Sequence, residues 1–177
     1  MIDDFICKSF KAARAASYSN TKLFYNDYNH ASMQGDYKAK SDKVFNMIKS
    51  MKQRGENECP IDGVGFQNHI NINYDEANYQ SIRENIQRYA DINVEVQFTE
   101  TNVRCSKHMQ DCQWTNWPES ALETQASIYG KILQICLEEP NCTAFETWDF
   151  TDKYSKYPNS LLFDKEFGKK PAYEKML

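Results

Sequence analysis

The stretches DGVGFQNH (62–69) and VEVQFTE (94–100), with a helical pattern between them, decide the fold. Each stretch has the pattern of a strand. Between them, Ile82, Ile86 and Tyr89 recur at helical spacing over 76–90. Strand, helix and strand in this order predict two parallel strands that are joined by a right-handed crossover.

The same alternation continues outward in both directions. The sequence predicts helices over 3–16, 37–54 and 119–137, strands over 22–28 and 143–150, and a short closing helix over 169–177. The result is an α/β chain with four parallel strands, which is enough for half of a closed barrel. Periodicity alone leaves an open, doubly wound sheet equally compatible, although no GxGxxG or GxxxxGK motif follows the first strand.

Length and composition favour one globular domain over 1–177. Of the 177 residues, 41% are hydrophobic and 26% charged, and no linker or repeat divides the chain. The net charge is -4 without a long basic block, so we expect no nucleic-acid partner. No apolar run reaches the roughly 20 residues of a membrane helix, and the acidic start MIDD is unlike a secretory signal. The aromatic content of 14% suits a sugar-stacking surface or ordinary packing.

Six cysteines include two pairs that are close in sequence, Cys105 with Cys112 and Cys136 with Cys142. A short loop can bring each pair within the Cα separation of about 4.4–6.8 Å that a disulfide requires, so we predict both bridges. Such cysteine usage favours an oxidising, extracellular compartment. Zinc bound by Cys105, His108 and Cys112 is a competing interpretation, but the C-x2-C spacing of structural zinc sites and a nearby fourth ligand are missing. The pairing of Cys7 and Cys59 stays open.

Polar side chains stand at the carboxyl end of every predicted strand, where parallel α/β folds place catalytic groups. Glu100 is the strongest candidate for a catalytic residue. Alternation places it on one face with Val94, Val96 and Phe98, at the top of an apolar row that faces the barrel axis. A carboxylate in that position is a nucleophile or a general base, unless it only caps a helix or is solvated.

Two further candidates end neighbouring strands. His69 can hydrogen-bond Glu100 and hold its carboxylate in position, although a lone histidine is more often structural. Trp148 offers a flat apolar platform, although core packing is the commoner role of tryptophan. The sequence therefore predicts that Glu100, His69 and Trp148 converge at one end of the sheet.

Five motifs occur in order along the chain: LFYNDYN (23–29), IDGVGFQNH (61–69), FTETNVR (98–104), WDFTDKYS (148–155) and LFDKEFGKKPAY (162–173). With FKAARAA (10–16) ahead of the first strand, they resemble consecutive motifs of family 10 glycoside hydrolases, chiefly endo-1,4-β-xylanases. The resemblance covers essentially the whole chain. It implies the C-terminal half of a (β/α)8 barrel, namely strands 5 to 8 with their helices.

The resemblance also implies an activity, which is hydrolysis of β-1,4-xylan with retention of configuration by two glutamates. It makes Glu100 the nucleophile and His69 its hydrogen-bond partner. The substrate contacts that it implies are Asn26, Tyr28, Gln67 and Trp148. Cys136 and Cys142 match a disulfide that is common in fungal members. The implied partner is xylan or a xylo-oligosaccharide, and no metal or organic cofactor is implied.

The family's acid/base glutamate belongs to a WDVVNE-type motif at the end of strand 4, and no such motif occurs before Lys22. Retaining hydrolysis needs a second carboxyl group about 5–5.5 Å from the nucleophile. We therefore expect the chain to be inactive alone, as a partial gene product that needs the N-terminal barrel half. The alternative is a non-catalytic, xylan-binding or vestigial piece of a barrel.

Three positions depart from the family pattern. Asn102 stands where the family usually has Asp, which removes a charge that would raise the pKa of His69. Lys156 replaces a second Trp, and Tyr157 beside it is the candidate substitute. Glu146 shares a strand face with Trp148 and is a candidate replacement acid, although a hydrogen-bonding role or an exposed edge fits the pattern better.

Overall fold

Helices and strands alternate along the chain as the periodicity predicts. The computed structural model describes residues 2–105 and 117–177. Within these residues the helices are α1 (Ile2–Ala16), α2 (Lys38–Arg54), α3 (Glu76–Ala90), α4 (Glu119–Glu138) and α5 (Pro171–Lys175). The strands are β1 (Phe24–Tyr28), β2 (Gly63–Gln67), β3 (His69–Asn71), β4 (Glu95–Arg104) and β5 (Cys142–Thr147). None of these helices is both long and apolar enough to cross a membrane.

The five strands pair in parallel. β2 lies between β1 and β4, and β5 pairs with β4. β3 continues the path of β2 after a break at Asn68 and pairs with the carboxyl end of β4, where His69 lies opposite Asn102. The strands therefore occupy four positions in the order β1, β2 with β3, β4 and β5. This arrangement confirms the four parallel strands that the sequence predicts.

The helices cover one face of the sheet. Val64 and Phe66 of β2 align with Val96 and Phe98 of β4, and all four side chains are fully buried. The ring centroid of Phe66 lies 5.7 Å from that of Phe98 and 6.0 Å from that of Tyr89 on α3. The apolar row of β4 thus packs against the helices, where burial removes it from water. The prediction that this row faces the barrel axis is wrong.

The opposite face, which would line the axis of a closed barrel, is polar and partly exposed. The strand register places Asn26, Gly65 and Gln97 side by side on this face. A Cβ on Gly65 would lie 2.5 Å from Asn26 Oδ1 and 3.0 Å from Thr99 Cγ2. Glycine at this position therefore lets the side chains of β1 and β4 meet across β2.

The carboxyl ends of two strands differ from the prediction. β4 continues past Glu100 to Arg104, because β3 provides a hydrogen-bonding partner there. β5 ends at Thr147 rather than at Phe150. The cause is Asp149, whose φ of 69° is left-handed and incompatible with an extended strand. Trp148 therefore lies on a loop just beyond the sheet.

Two disulfides lie within the described residues. Cys136 at the end of α4 is bonded to Cys142 at the start of β5, with a Cα separation of 5.1 Å, which confirms that predicted bridge. Cys7 on α1 is bonded to Cys59, with a Cα separation of 4.5 Å, and so ties the first helix to the segment before β2. Cys112 and His108 lie outside the described residues, so the bridge between Cys105 and Cys112 stays a prediction.

His30 is a buried titratable group beneath the sheet. Its side chain is fully buried, Nε2 lies 3.2 Å from the carbonyl oxygen of Gly65, and the ring packs edge-on against Phe66. Burial lowers the pKa of His30 from 6.5 to about 4. The folded chain therefore holds this imidazole neutral at pH values where the unfolded chain protonates it.

Acid is expected to destabilise the fold through His30. The stability that depends on its neutral form is fully present above pH 6.5 and is lost as the pH falls toward 4. Between pH 7 and pH 4.5 this loss amounts to about 2–3 kcal/mol. Urea unfolding at both pH values should show a smaller pH effect in His30→Gln than in the unmodified chain. An equal pH effect in the two proteins would contradict this assignment.

Candidate active site

Glu100, His69 and Asn26 form a cluster at the carboxyl ends of the strands, which we call the Glu100 cluster. His69 Nε2 lies 3.4 Å from Glu100 Oε2, and Asn26 Nδ2 donates a hydrogen bond of 3.2 Å to Glu100 Oε1. Each carboxylate oxygen thus has one partner. The side chains of Glu100 and His69 are 15% and 20% exposed, so the carboxylate is largely enclosed but still partly accessible to a ligand.

An irregularity in β4 places Glu100 in this cluster. The pairing of β4 with β5 shifts register between Phe98 and Thr101, so the strict alternation of the strand is interrupted at Glu100. Glu100 therefore leaves the apolar face of Phe98 and reaches Asn26 on the polar face. Thr99 Oγ1 donates a hydrogen bond of 2.7 Å to Asn26 Oδ1 and thereby fixes which end of that amide faces Glu100. No sequence motif or periodicity indicates this role of Thr99.

His69 lies between Glu100 and the buried amide of Asn102. Burial lowers the pKa of His69, while the Asn102 amide and the negative charge of Glu100 act in the opposite direction. His69 is therefore neutral at neutral pH. Because Nε2 faces the carboxylate, the tautomer that carries its proton on Nε2 makes the favourable contact.

Two exposed aromatic rings flank the cluster. Trp148 is 51% exposed and packs edge-on against His69, with ring centroids 6.3 Å apart. Tyr28 is 54% exposed, and Lys40 Nζ lies 3.6 Å from its ring centroid, so a ligand can stack only on the other face. Gln67 and His69 line a small cavity of about 20 Å³. The structure therefore brings together Glu100, His69 and Trp148, as the sequence predicts.

All 177 residues of the chain match glycosyl hydrolase family 10. The chain belongs to this family. Endo-1,4-beta-xylanase B of Thermotoga neapolitana is 36% identical over 163 residues, a match that covers 85% of this chain and 41% of that protein. Endo-1,4-beta-xylanase 1 of Humicola insolens is 34% identical over 177 residues, covering 96% of this chain and 38% of that protein.

Solved structures of family 10 enzymes share the fold. Native xylanase 10B from Thermotoga maritima superposes with a TM-score of 0.84 at 36% identity, covering 98% of this chain and 50% of that one. Xylanase 10B from Thermotoga petrophila in complex with xylobiose gives 0.83 at 35% identity, covering 97% and 50%. The chain thus spans about half the length of these relatives. Its α/β fold with a parallel sheet is a barrel half, which confirms the predicted fold class and family resemblance.

Two further departures from the family 10 pattern involve Glu146 and the pair Lys156 and Tyr157. Glu146 on β5 is exposed. The ring of Tyr157 has the Arg104 guanidinium 4.5 Å from its centroid and Lys156 Nζ 5.7 Å from it. Tyr157 as a substitute for the missing Trp stays a prediction. Within the described residues, no three His, Cys, Asp or Glu side chains form a group that could hold a metal ion.

Proposed function

We propose that this chain supplies the nucleophile half of a retaining endo-1,4-β-xylanase. The observation that carries the proposal is the position of Glu100, held between Asn26 and His69 at the carboxyl ends of the strands. Carboxylates at this end of a parallel barrel are placed for catalysis. Family membership and the xylanase names of the relatives support xylan as the substrate.

In the proposed reaction Glu100 attacks the anomeric carbon of a xylose unit. The glycosidic bond breaks as a glycosyl ester forms, and the leaving oxygen takes a proton from a second carboxyl group. The same carboxyl group, now deprotonated, then takes a proton from a water molecule, and this water hydrolyses the ester. Glu100 is restored, and the configuration at the anomeric carbon is retained. Neutral His69 donates to one oxygen of Glu100 and Asn26 donates to the other, so both hold the carboxylate in its attacking position.

We infer that the acid/base carboxyl group comes from an N-terminal barrel half, and that Trp148 and Tyr28 bind the sugar rings. β1 and β5 each pair with one strand in the described part of the sheet, which leaves an edge of each open to further strands. The two disulfides support an extracellular location. A sugar-binding role without hydrolysis is the second candidate, because the exposed rings of Trp148 and Tyr28 do not depend on an acid/base group.

Reconstitution tests this proposal. We expect no release of reducing sugar from xylan by the chain alone or by a purified N-terminal barrel half of a relative, and release by the mixture. The reason is that the mixture alone contains both carboxyl groups and closes the open strand edges. Hydrolysis by the isolated chain would show that another group, Glu146 first, protonates the leaving oxygen. An assembled but inactive mixture would favour sugar binding without hydrolysis.

A further inference from the structure

Two phenylalanine rings lie exposed on the loops that follow β5. Phe150 is 52% exposed and Phe167 is 46% exposed. Their ring centroids lie 6.2 Å apart with an angle of 30° between the ring planes, so the two rings stack on each other and together form one apolar patch. Large apolar side chains that remain together in water are typical of binding surfaces.

The backbone of Phe167 is held in an unfavourable conformation. Its φ is 65°, a left-handed value that glycine and asparagine adopt far more readily than a bulky residue. Asp164 fixes this turn, because Oδ1 accepts hydrogen bonds from the N–H groups of Glu166 at 2.9 Å and Gly168 at 2.7 Å. A phenylalanine at this position is therefore unfavourable for the turn itself, which points to a role for its ring.

The two rings belong to segments that are tied together. The Phe163 N–H donates to the carbonyl oxygen of Phe150 at 3.0 Å, and the Asp152 N–H donates to the carbonyl oxygen of Phe163 at 2.9 Å. Thr151 Oγ1 donates to the carbonyl oxygen of Asp164 at 2.6 Å. Because these bonds fix the loop around Phe167 to the segment that carries Phe150, a ligand would not have to order the rings on binding.

Lys153 adds a hydrogen-bond donor beside the rings. Its Nζ lies 5.0 Å from the ring centroid of Phe167 and 5.6 Å from that of Tyr154. A pyranose ring has an apolar C–H face bordered by hydroxyl groups. The apolar face matches the two phenylalanines, and a hydroxyl oxygen can accept from the ammonium group.

We propose that Phe150, Phe167 and Lys153 form a second surface that binds a β-1,4-linked xylose chain outside the Glu100 cluster. The choice of xylan rests on the proposed function. It also rests on the closeness of the two sites in sequence, because Phe150 follows Trp148 by two residues. A polysaccharide that is bound at one ring can therefore extend to the others. The surface needs no catalytic group, so it can bind xylan with or without the N-terminal barrel half.

Affinity electrophoresis of the chain in gels that contain soluble xylan tests this surface. We expect Phe167→Asn to bind xylan on the order of fivefold more weakly, because one stacking ring is lost. Its thermal midpoint should stay equal or rise, since asparagine tolerates the left-handed turn. Phe150→Ala should weaken binding similarly. The matched control is Phe5→Ala on α1, which removes another exposed phenylalanine, 74% exposed, and should leave binding unchanged.

Unchanged retardation of Phe167→Asn and Phe150→Ala, with loss of retardation in Trp148→Ala, would overturn the second surface and leave only the site at Glu100. Absence of retardation of the unmodified chain would overturn it as well. In both cases the reconstitution assay still decides the proposed function, because it measures hydrolysis rather than binding by this chain. Equal retardation by a gel that contains β-glucan would overturn the assignment to xylan.

Discussion

Glu100→Gln in the reconstituted barrel is expected to reduce the release of reducing sugar from xylan by roughly 10⁴-fold or more. The amide has nearly the shape of the carboxylate but cannot form the glycosyl ester. The substitution also removes one hydrogen bond. Asn26 Nδ2 and His69 Nε2 both donate toward Glu100, and the new NH2 group cannot accept from either of them. Rate measurements on the mixture give the ratio directly.

Glu146→Gln is the matched control for this substitution. Glu146 is also a strand glutamate, but its side chain is exposed, so the same chemical change should leave the rate of the mixture unchanged. Activity that survives Glu100→Gln would refute the nucleophile assignment. Loss of activity in Glu146→Gln instead would show that the essential carboxylate is Glu146 on β5.

The regular elements were predictable because each depends on local periodicity. α3 runs over the residues that Ile82, Ile86 and Tyr89 predict, and the parallel order of the strands follows from the helices between them. The direction in which the apolar row of β4 faces was not predictable from alternation. Alternation separates two faces of a strand, but only the packing of Phe98 against neighbouring rings shows which face the helices cover.

The candidate site was likewise predictable only where it depends on local sequence. Glu100 and His69 were identified from their places at strand ends and from the motifs around them, and the structure brings them to 3.4 Å. The register shift that turns Glu100 toward Asn26 depends on pairing with β5, which lies more than forty residues away in sequence. The Thr99 contact joins β4 to Asn26 on β1, which lies 73 residues away in sequence. Long-range contacts of this kind have no local sequence signal, and neither has the bond between Cys7 and Cys59.

Lys170→Met is expected to lower the free energy of unfolding by about 3–5 kcal/mol, because it leaves a buried carboxylate without its partner. Lys170 Nζ lies 2.8 Å from Asp152 Oδ2, and the two side chains are only 7% and 1% exposed. Nζ also donates to the carbonyl oxygen of Asn159 at 2.8 Å. The pair thus anchors the loops that follow Trp148. Urea unfolding measures the loss.

Lys169→Met provides the matched control at the neighbouring position. Lys169 is 53% exposed, and its Nζ lies 3.9 Å from the exposed Glu174, so its removal should change stability by less than about 1 kcal/mol. Equal losses in Lys169→Met and Lys170→Met would contradict the role of the buried pair. Lys170→Met combined with Asp152→Leu should recover part of the stability, since no unpaired charge then remains buried.

The loss of stability in Lys170→Met should also depend on pH. The direction of this dependence shows whether Asp152 causes the loss. Burial raises the pKa of Asp152 even beside Lys170, and the pKa rises further once the ammonium group is gone. The folded variant then binds a proton more readily than the unfolded chain, so its stability increases as the pH falls toward the raised pKa. We expect the difference from the unmodified chain to be smaller at pH 5 than at pH 8. A difference that grows at pH 5 would show that an unpaired Asp152 carboxylate is not the source of the loss.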